Sequence, residues 1–214
     1  MTPLQPAPDT PSKPGAPDPD LLIFIRHGQT DWNAEGRMQG QRDIPLNSVG
    51  EGQASGNGER LKAFFDREGL DPESFDFVSS PLTRTRKTME LLRNTMKLDP
   101  AAYRLDGQLK EITFGAWEGF TLEELAEVHA ELVRQRRADK WRFLYPQGES
   151  YERLSVRIGG WLQTVARPTV VVSHGGVFRV LRGLLEELET ENIPKLAVPQ
   201  DRVFVWRNRR FEEV

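Results

Sequence analysis

The chain predicts an α/β protein, a three-layer α/β/α sandwich with a mostly parallel central sheet. Three observations carry this: apolar runs of strand length recur along the chain, helix-length amphipathic stretches separate them, and no second linker interrupts residues 21–214. Leu21–Ile25 (LLIFI) is continuously apolar, as a strand covered on both faces should be. Phe75–Val78 (FDFV) and Pro168–Val172 (PTVVV) read the same way, the second reinforced by β-branching. Helices are expected over Val49–Glu68, Pro81–Met96, Leu122–Lys140, Tyr151–Ala166 and Val177–Glu187. Pro81 suits a first helical turn after the capping pair Ser79-Ser80, and Thr121 precedes Glu123-Glu124 as an N-cap. Four glycines within Gly50–Gly58 weaken the start of the first long helix. Val203–Trp206 and Phe211–Val214, around Asn208-Arg209-Arg210, suggest a closing hairpin.

Residues 1–20 carry seven of the fifteen prolines and almost no large apolar side chain, so a disordered tail is expected there and a single domain over 21–214. The tail has no charged start followed by an apolar stretch, unlike a secretory signal. Lys plus Arg is 29 and Asp plus Glu is 32, a net charge of −3, which disfavours nucleic-acid binding through bulk charge. No cysteine is present, excluding disulfides, thiolate metal sites and thiol catalysis, and three histidines make a histidine-built metal site hard to assemble. No apolar run approaches the ~18 residues of a membrane span. A cytoplasmic protein with neither nucleic-acid nor membrane partners is expected; the oligomeric state is open.

Ligands of open α/β sheets bind beyond the carboxyl ends of strands. LLIFI is followed there by Arg26-His27-Gly28, FDFV by Ser79-Ser80-Pro81-Leu82-Thr83-Arg84, and PTVVV by Ser173-His174-Gly175-Gly176. Two of three histidines thus sit at strand ends, each before glycine. Arg26 and Arg84 add cationic forks suited to phosphate oxygens, and the glycines let backbone N–H groups approach a ligand closely. Together these predict a phosphate pocket.

The segments RHGQTDWNAEGRMQG, SSPLTRTRKT, LKEITFGAWEG and SHGG resemble, in order and spacing, the motifs of the histidine phosphatase superfamily, also called phosphoglycerate mutase-like. PQGES at Pro146–Ser150 is similar to a stretch of its phosphatase branch. The resemblance implies that His27 is the nucleophile, Arg26 and Arg84 hold phosphate oxygens, His174 donates to them, and Asn33 adds a neutral donor. Glu111 would be the proton donor to the leaving oxygen, and Thr30, Gln39, Gly40 and Gly175 would line the site. No metal or other cofactor is implied, and the partner is a small-molecule phosphate ester.

Each assignment has a plainer rival. Glu118 is an alternative acid, ranked below Glu111 as a loop anchor. Arg86 should face solvent, His129 should be solvated surface, and Arg134, Arg136 and Arg137 read as an exposed helix face. Trp32 and Trp117 read as packing. Specificity is expected from the stretch between Glu111 and Gly148, including Trp141, Phe143 and Tyr145, and from the loop Gly36–Pro45. A cofactor-dependent phosphoglycerate mutase would carry Arg-His-Tyr after the acid, where this chain has Ile112-Thr113-Phe114. The expected activity is therefore metal-independent phosphomonoester hydrolysis through a phosphohistidine. The alternatives are the mutase and a non-catalytic phospho-ligand binding module. A nucleotide-binding sheet is disfavoured because no GxGxxG or GxxxxGK[ST] loop follows the first strand.

Overall fold

In β1 (Leu22–Arg26) successive side chains enter opposite cores: Leu22 and Phe24 join one apolar cluster, Ile23 and Ile25 the other. This is the signature of a central layer. In the protein's computed structural model, which describes residues 19–214, six strands form one sheet in the order β3-β2-β4-β1-β5-β6. The remaining strands are β2 (Asp76–Ser79), β3 (Arg104–Leu105), β4 (Thr169–Ser173), β5 (Val203–Arg207) and β6 (Arg210–Glu213). β1, β2, β3 and β4 run parallel, while β5 pairs antiparallel with β1 and with β6. The leader expected over residues 1–20 lies outside the described residues, save Pro19 and Asp20.

The face bearing Ile23, Val170 and Val172 is covered by α2 (Ser48–Glu68) and α3 (Thr83–Thr95) through Leu61, Phe64, Met89 and Leu92. The opposite face carries α6 (Tyr151–Leu162) and α7 (Gly175–Leu185), with Ile158, Trp161, Phe178 and Leu181 packed on Phe24 and Val171. The expected sandwich and mostly parallel sheet are thus observed. Asn208 and Arg209 both take positive φ (50° and 58°) in the β5–β6 turn, the left-handed conformation that a tight hairpin demands.

Boundaries differ where side chains far away in sequence decide them. Pro81 lies outside α3, and Ser79-Ser80 do not cap it. Instead Asp43 accepts hydrogen bonds from Thr83 N (2.8 Å) and Thr83 Oγ1 (2.7 Å) across 40 residues. The stretch expected as one helix over Leu122–Lys140 is two, α4 (Leu122–Val128) and α5 (Ala130–Ala138), because exposed His129 leaves helical geometry (φ −133°, ψ 41°). The capping box of Thr121 with Glu124 starts the first of them. α7 begins two residues before the expected Val177, with His174 at its N-cap, and a short helix, α1 (Asp31–Ala34), went unanticipated.

The glycines of α2 are spaced for close approach. A Cβ on Gly50 would meet Gln29 O at 2.1 Å, and one on Gly58 would meet Leu92 O of α3 at 2.8 Å. Gly52, in contrast, faces open space. Gly52→Ala should therefore stabilise the protein by up to about 1 kcal/mol through helix propensity alone. Gly58→Val should cost about 1–3 kcal/mol by forcing α2 from α3. Urea unfolding of the two variants reads both signs, and equal effects would remove the close-approach explanation.

Candidate active site

Arg26 pairs with Ser173 across the parallel β1–β4 ladder, and His27 N–H donates to Ser173 O at 2.9 Å. The next residue on each strand is histidine, and the two rings lie 5.2 Å apart at 64°. His27 Nδ1 is 2.7 Å from Gly28 O. A carbonyl can only accept, so Nδ1 carries the proton and Nε2 keeps its lone pair. Arg84 Nε–H points at that lone pair from 3.3 Å. His174 Nε2 bonds Ser80 Oγ at 2.8 Å, and its buried Nδ1 has no partner. Burial pushes both imidazoles well below their ordinary pKa, and neighbouring Arg84 and Arg26 push further in the same direction.

The two guanidiniums are held by backbone carbonyls. Arg84 donates to Arg42 O (2.7 Å) and Gly40 O (2.8 Å), and Arg26 to Val198 O (2.6 Å), leaving Arg26 Nε buried and unpartnered. Desolvation lowers both to about 10. Asn33 Oδ1 accepts from Thr30 N and from Gln200 Nε2, which turns its amide NH₂ outward. Thr30 is fully buried and does not wall the cavity; its capping box with Asn33 at α1 positions that side chain. Gln39 and Gly40 do wall it, and Gln39 Oε1 is buried without a partner.

Glu111 lines the same space. Its Oε1 accepts from Ile112 N (2.9 Å) and its Oε2 from Gly176 N (3.1 Å) in the first turn of α7. Its carbonyl is gripped by Gln41 Nε2 (3.0 Å) and Arg157 (3.4 Å), and Glu149 of PQGES holds Arg157 at 2.9 Å. Glu118 instead accepts Gln41 N, Thr113 Oγ1 and Phe114 N, all on Oε1, which makes it a loop anchor.

These groups converge on a cavity of about 230 Å³ whose walls include Arg26, His27, Asn33, Arg84, Glu111 and Gly175. A larger groove of about 500 Å³, at the amino end of β2, contains none of the candidate residues. The stretch between Glu111 and Gly148, expected to set specificity, does reach the wall, but through the unsuspected cations Arg136 and Lys140; Arg179 lies outside every stretch the sequence singled out for the site. Arg136 breaks from the expected exposed face of its run, while Arg134 and Arg137 keep to it. The aromatics expected to set specificity do not line the cavity; Trp141 and Tyr145 are buried core, and Phe143 packs on Trp117 and Tyr145. Arg86 is exposed, as expected. Among the described residues no group of three His, Cys, Asp or Glu could hold a metal ion, and no helix is long and apolar enough to cross a membrane.

The sequence model of the histidine phosphatase superfamily (branch 1) matches residues 22–209. A Bacillus subtilis protein named "Uncharacterized phosphatase PhoE" is 34% identical over 75% of this chain and 74% of its own length. A Citrobacter koseri protein named "Probable phosphoglycerate mutase GpmB" is 36% identical over 72% of this chain and 69% of its own. A solved mycobacterial glucosyl-3-phosphoglycerate phosphatase superposes with a TM-score of 0.72 at 28% identity, covering 87% of this chain and 89% of that one. The same phosphatase in complex with VO3 gives 0.71 at 27%, covering 91% and 97%.

Because both imidazoles bind protons less readily in the folded than in the unfolded chain, their share of stability is complete above about pH 6.5 and declines as pH falls below it. Nitrogen-15 NMR of the histidine rings should show His27 and His174 neutral at pH 6, with the His27 proton on Nδ1. An Nε2–H signal for His27 would contradict the geometry.

Proposed function

The chain belongs to the histidine phosphatase superfamily, and from that premise we propose that it hydrolyses phosphomonoesters of small metabolites without a metal, through a phosphohistidine on His27. The observation that carries this is the lone pair of His27 Nε2, fixed by the Nδ1–H bond to Gly28 O beside the buried Arg84 guanidinium and the half-buried Arg26. In the first step Nε2 bonds to phosphorus as the ester P–O bond breaks. The departing alkoxide takes a proton from Glu111, which must hold one at that moment. In the second, Glu111 removes a proton from water, the water oxygen bonds to phosphorus, and the P–N bond returns its electron pair to His27.

Charge on the phosphoryl oxygens meets Arg26, Arg84, the Asn33 amide and the N–H groups opening α7 at Gly175. If Ser80 O–H donates to His174 Nε2, the His174 proton sits on Nδ1 as a further donor. Guanidiniums fill the role that a cation fills elsewhere, which supports metal independence. Phosphatase-named relatives and the VO3 complex of the mycobacterial neighbour support phosphoryl chemistry. The proposal takes residues 21–214 as one catalytic domain behind a passive leader, working on cytoplasmic metabolites.

The mutase reading is favoured by the GpmB name of close relatives and by the extra cations on the cavity wall. Those cations come from the α5 region and α7, rather than from the residues after Glu111. The acceptor of the phosphoryl group separates the two readings. With 3-phosphoglycerate and 2,3-bisphosphoglycerate present, free phosphate should accumulate and 2-phosphoglycerate should not; rapid isomerisation with negligible phosphate would reverse the assignment.

Activity on a phosphomonoester panel should persist in EDTA and vanish in His27→Ala. Complete loss in chelator, restored by a divalent ion, would defeat the proposal, and no turnover of any ester would favour the binding module. Glu111→Gln should lower kcat/KM for alkyl phosphates by about 10²–10⁴-fold and for p-nitrophenyl phosphate much less, since that leaving group needs little protonation. Equal losses on both substrates would remove Glu111 from the proton-donor role.

A further inference from the structure

The cavity holds positive charge beyond the groups assigned to the phosphoryl site. Arg136 Nε donates to Tyr145 Oη at 2.8 Å, Arg179 Nε to Leu196 O at 2.7 Å, and Lys140 Nζ to Pro194 O at 2.8 Å. All three line the wall, and none is ion-paired with a carboxylate among the described residues. Arg37 on the same wall shows the contrast, because Glu35 and Glu124 both bind it. Glu111 is the cavity's acidic residue among those described, and it is tied to backbone N–H groups.

The ring of Tyr151 links two of the three. Lys140 Nζ sits 5.5 Å from its centroid, and its hydroxyl lies 3.4 Å from Arg179 Nη1. Arg179 also borders the phosphoryl end, since Arg179 Nη1 and Arg26 Nε both lie within 3.5 Å of where a Cβ on Gly175 would stand. The cluster therefore lines the same cavity as His27. Burial and the neighbouring Arg136 and Arg179 hold Lys140 down to about 7, as expected of an ammonium lacking an anion. Neutral carbonyls and hydroxyls fix the two guanidiniums in place without discharging them, which leaves their charge for a ligand, and an anion bound among them would draw Lys140 back to its charged form.

We propose that Arg136, Lys140 and Arg179 form a second anion subsite, so that the preferred substrates are small phosphomonoesters bearing a second anionic group, a carboxylate or another phosphate. This rests on the phosphomonoesterase reading above. The cavity of about 230 Å³ suits a compact metabolite.

Matched pairs test it. 3-Phosphoglycerate and glycerol 3-phosphate differ by a carboxylate in place of a hydroxymethyl group. Fructose 1,6-bisphosphate and fructose 6-phosphate differ by the second phosphate. For the doubly anionic member of at least one pair, kcat/KM should be tenfold or more higher, and the pair that shows it identifies the anion. In Lys140→Met that preference should fall at least fivefold, carried by KM rather than kcat. Ratios near one for both pairs in the native enzyme would overturn the subsite, and this comparison needs no variant to fold. So would a Lys140→Met protein that loses kcat equally on both members of a pair. Should even p-nitrophenyl phosphate resist hydrolysis, the phosphatase reading fails by itself. Calorimetric binding of the same pairs then decides the subsite, with tighter binding of the doubly anionic member sustaining it and equal binding ending it.

Discussion

The pairing of Arg26 with Ser173 across the parallel β1–β4 ladder is the contact on which the site hangs. It sets the two strand ends level, so that the next residue on each, His27 and His174, must lie side by side. Strand alternation then separates two cations that adjoin the same imidazole. Arg26 leaves the sheet on the side of α7, near Arg179, whereas His27 turns toward α3 and meets Arg84. A one-residue slip of register would send each side chain to the opposite face. The apolar alternation of Leu22–Ile25 into two separate cores is what forbids that slip. Packing of the core and placement of the two histidines and Arg26 are one constraint.

The site carries a standing electrostatic cost. Unit charges ~5 Å apart repel by about 3 kcal/mol at an effective dielectric of ~20. Buried Arg84 and half-buried Arg26 nonetheless lie near each other and near two imidazoles, and Arg26 also near Arg179. Carboxylates would relieve the repulsion but would also fill the place of a phosphate. Carbonyls at Val198, Gly40 and Arg42 orient the guanidiniums while leaving their charge intact. The imidazoles respond by staying neutral, which is the state a nitrogen nucleophile needs. In the proposed mechanism one arrangement therefore binds an anion and prepares the attacking atom, at some expense in stability without ligand.

What could be read from sequence follows from how far chain position dictates spatial position. His27, Arg26 and His174 were legible because each occupies a strand end, and strand ends of a parallel sheet share one edge. Arg136 and Lys140 were legible only as part of the stretch before Gly148, because which side chains of that stretch face the cavity follows from a helix broken at His129, which no local residue announces. Asp43 capping α3 was equally hidden, lying 40 residues from Thr83. The segment after α7 was also silent: Val198 O holds Arg26, and Gln200 Nε2 binds both His27 O and Asn33 Oδ1, yet nothing in Ala197-Val198-Pro199-Gln200 marks it. Arg179 did leave a signal. It stands four residues after Gly175 on α7, hence on the same helical face, directed at the same edge.

Two carboxylates seven residues apart show how context assigns roles that residue type cannot. Glu118 takes three donors on one oxygen, from Gln41 N, Thr113 Oγ1 and Phe114 N. Its other oxygen lies 3.6 Å from Arg42. It presses so closely on the Gly36–Pro45 loop that a Cβ on Gly40 would stand 2.0 Å from Oε1, at a residue whose φ of +52° already favours glycine. That contact keeps Gly40 O where Arg84 needs it. Glu111 receives one backbone donor on each oxygen, so each retains a lone pair toward the cavity. Under the proposed mechanism the carboxyl group that exchanges a proton must face the cavity, as Glu111 does, whereas Glu118 lies outside the cavity wall and joins two loop segments. The same short segment supplies both, and the place each one faces, not its residue type, separates the proposed proton donor from the anchor.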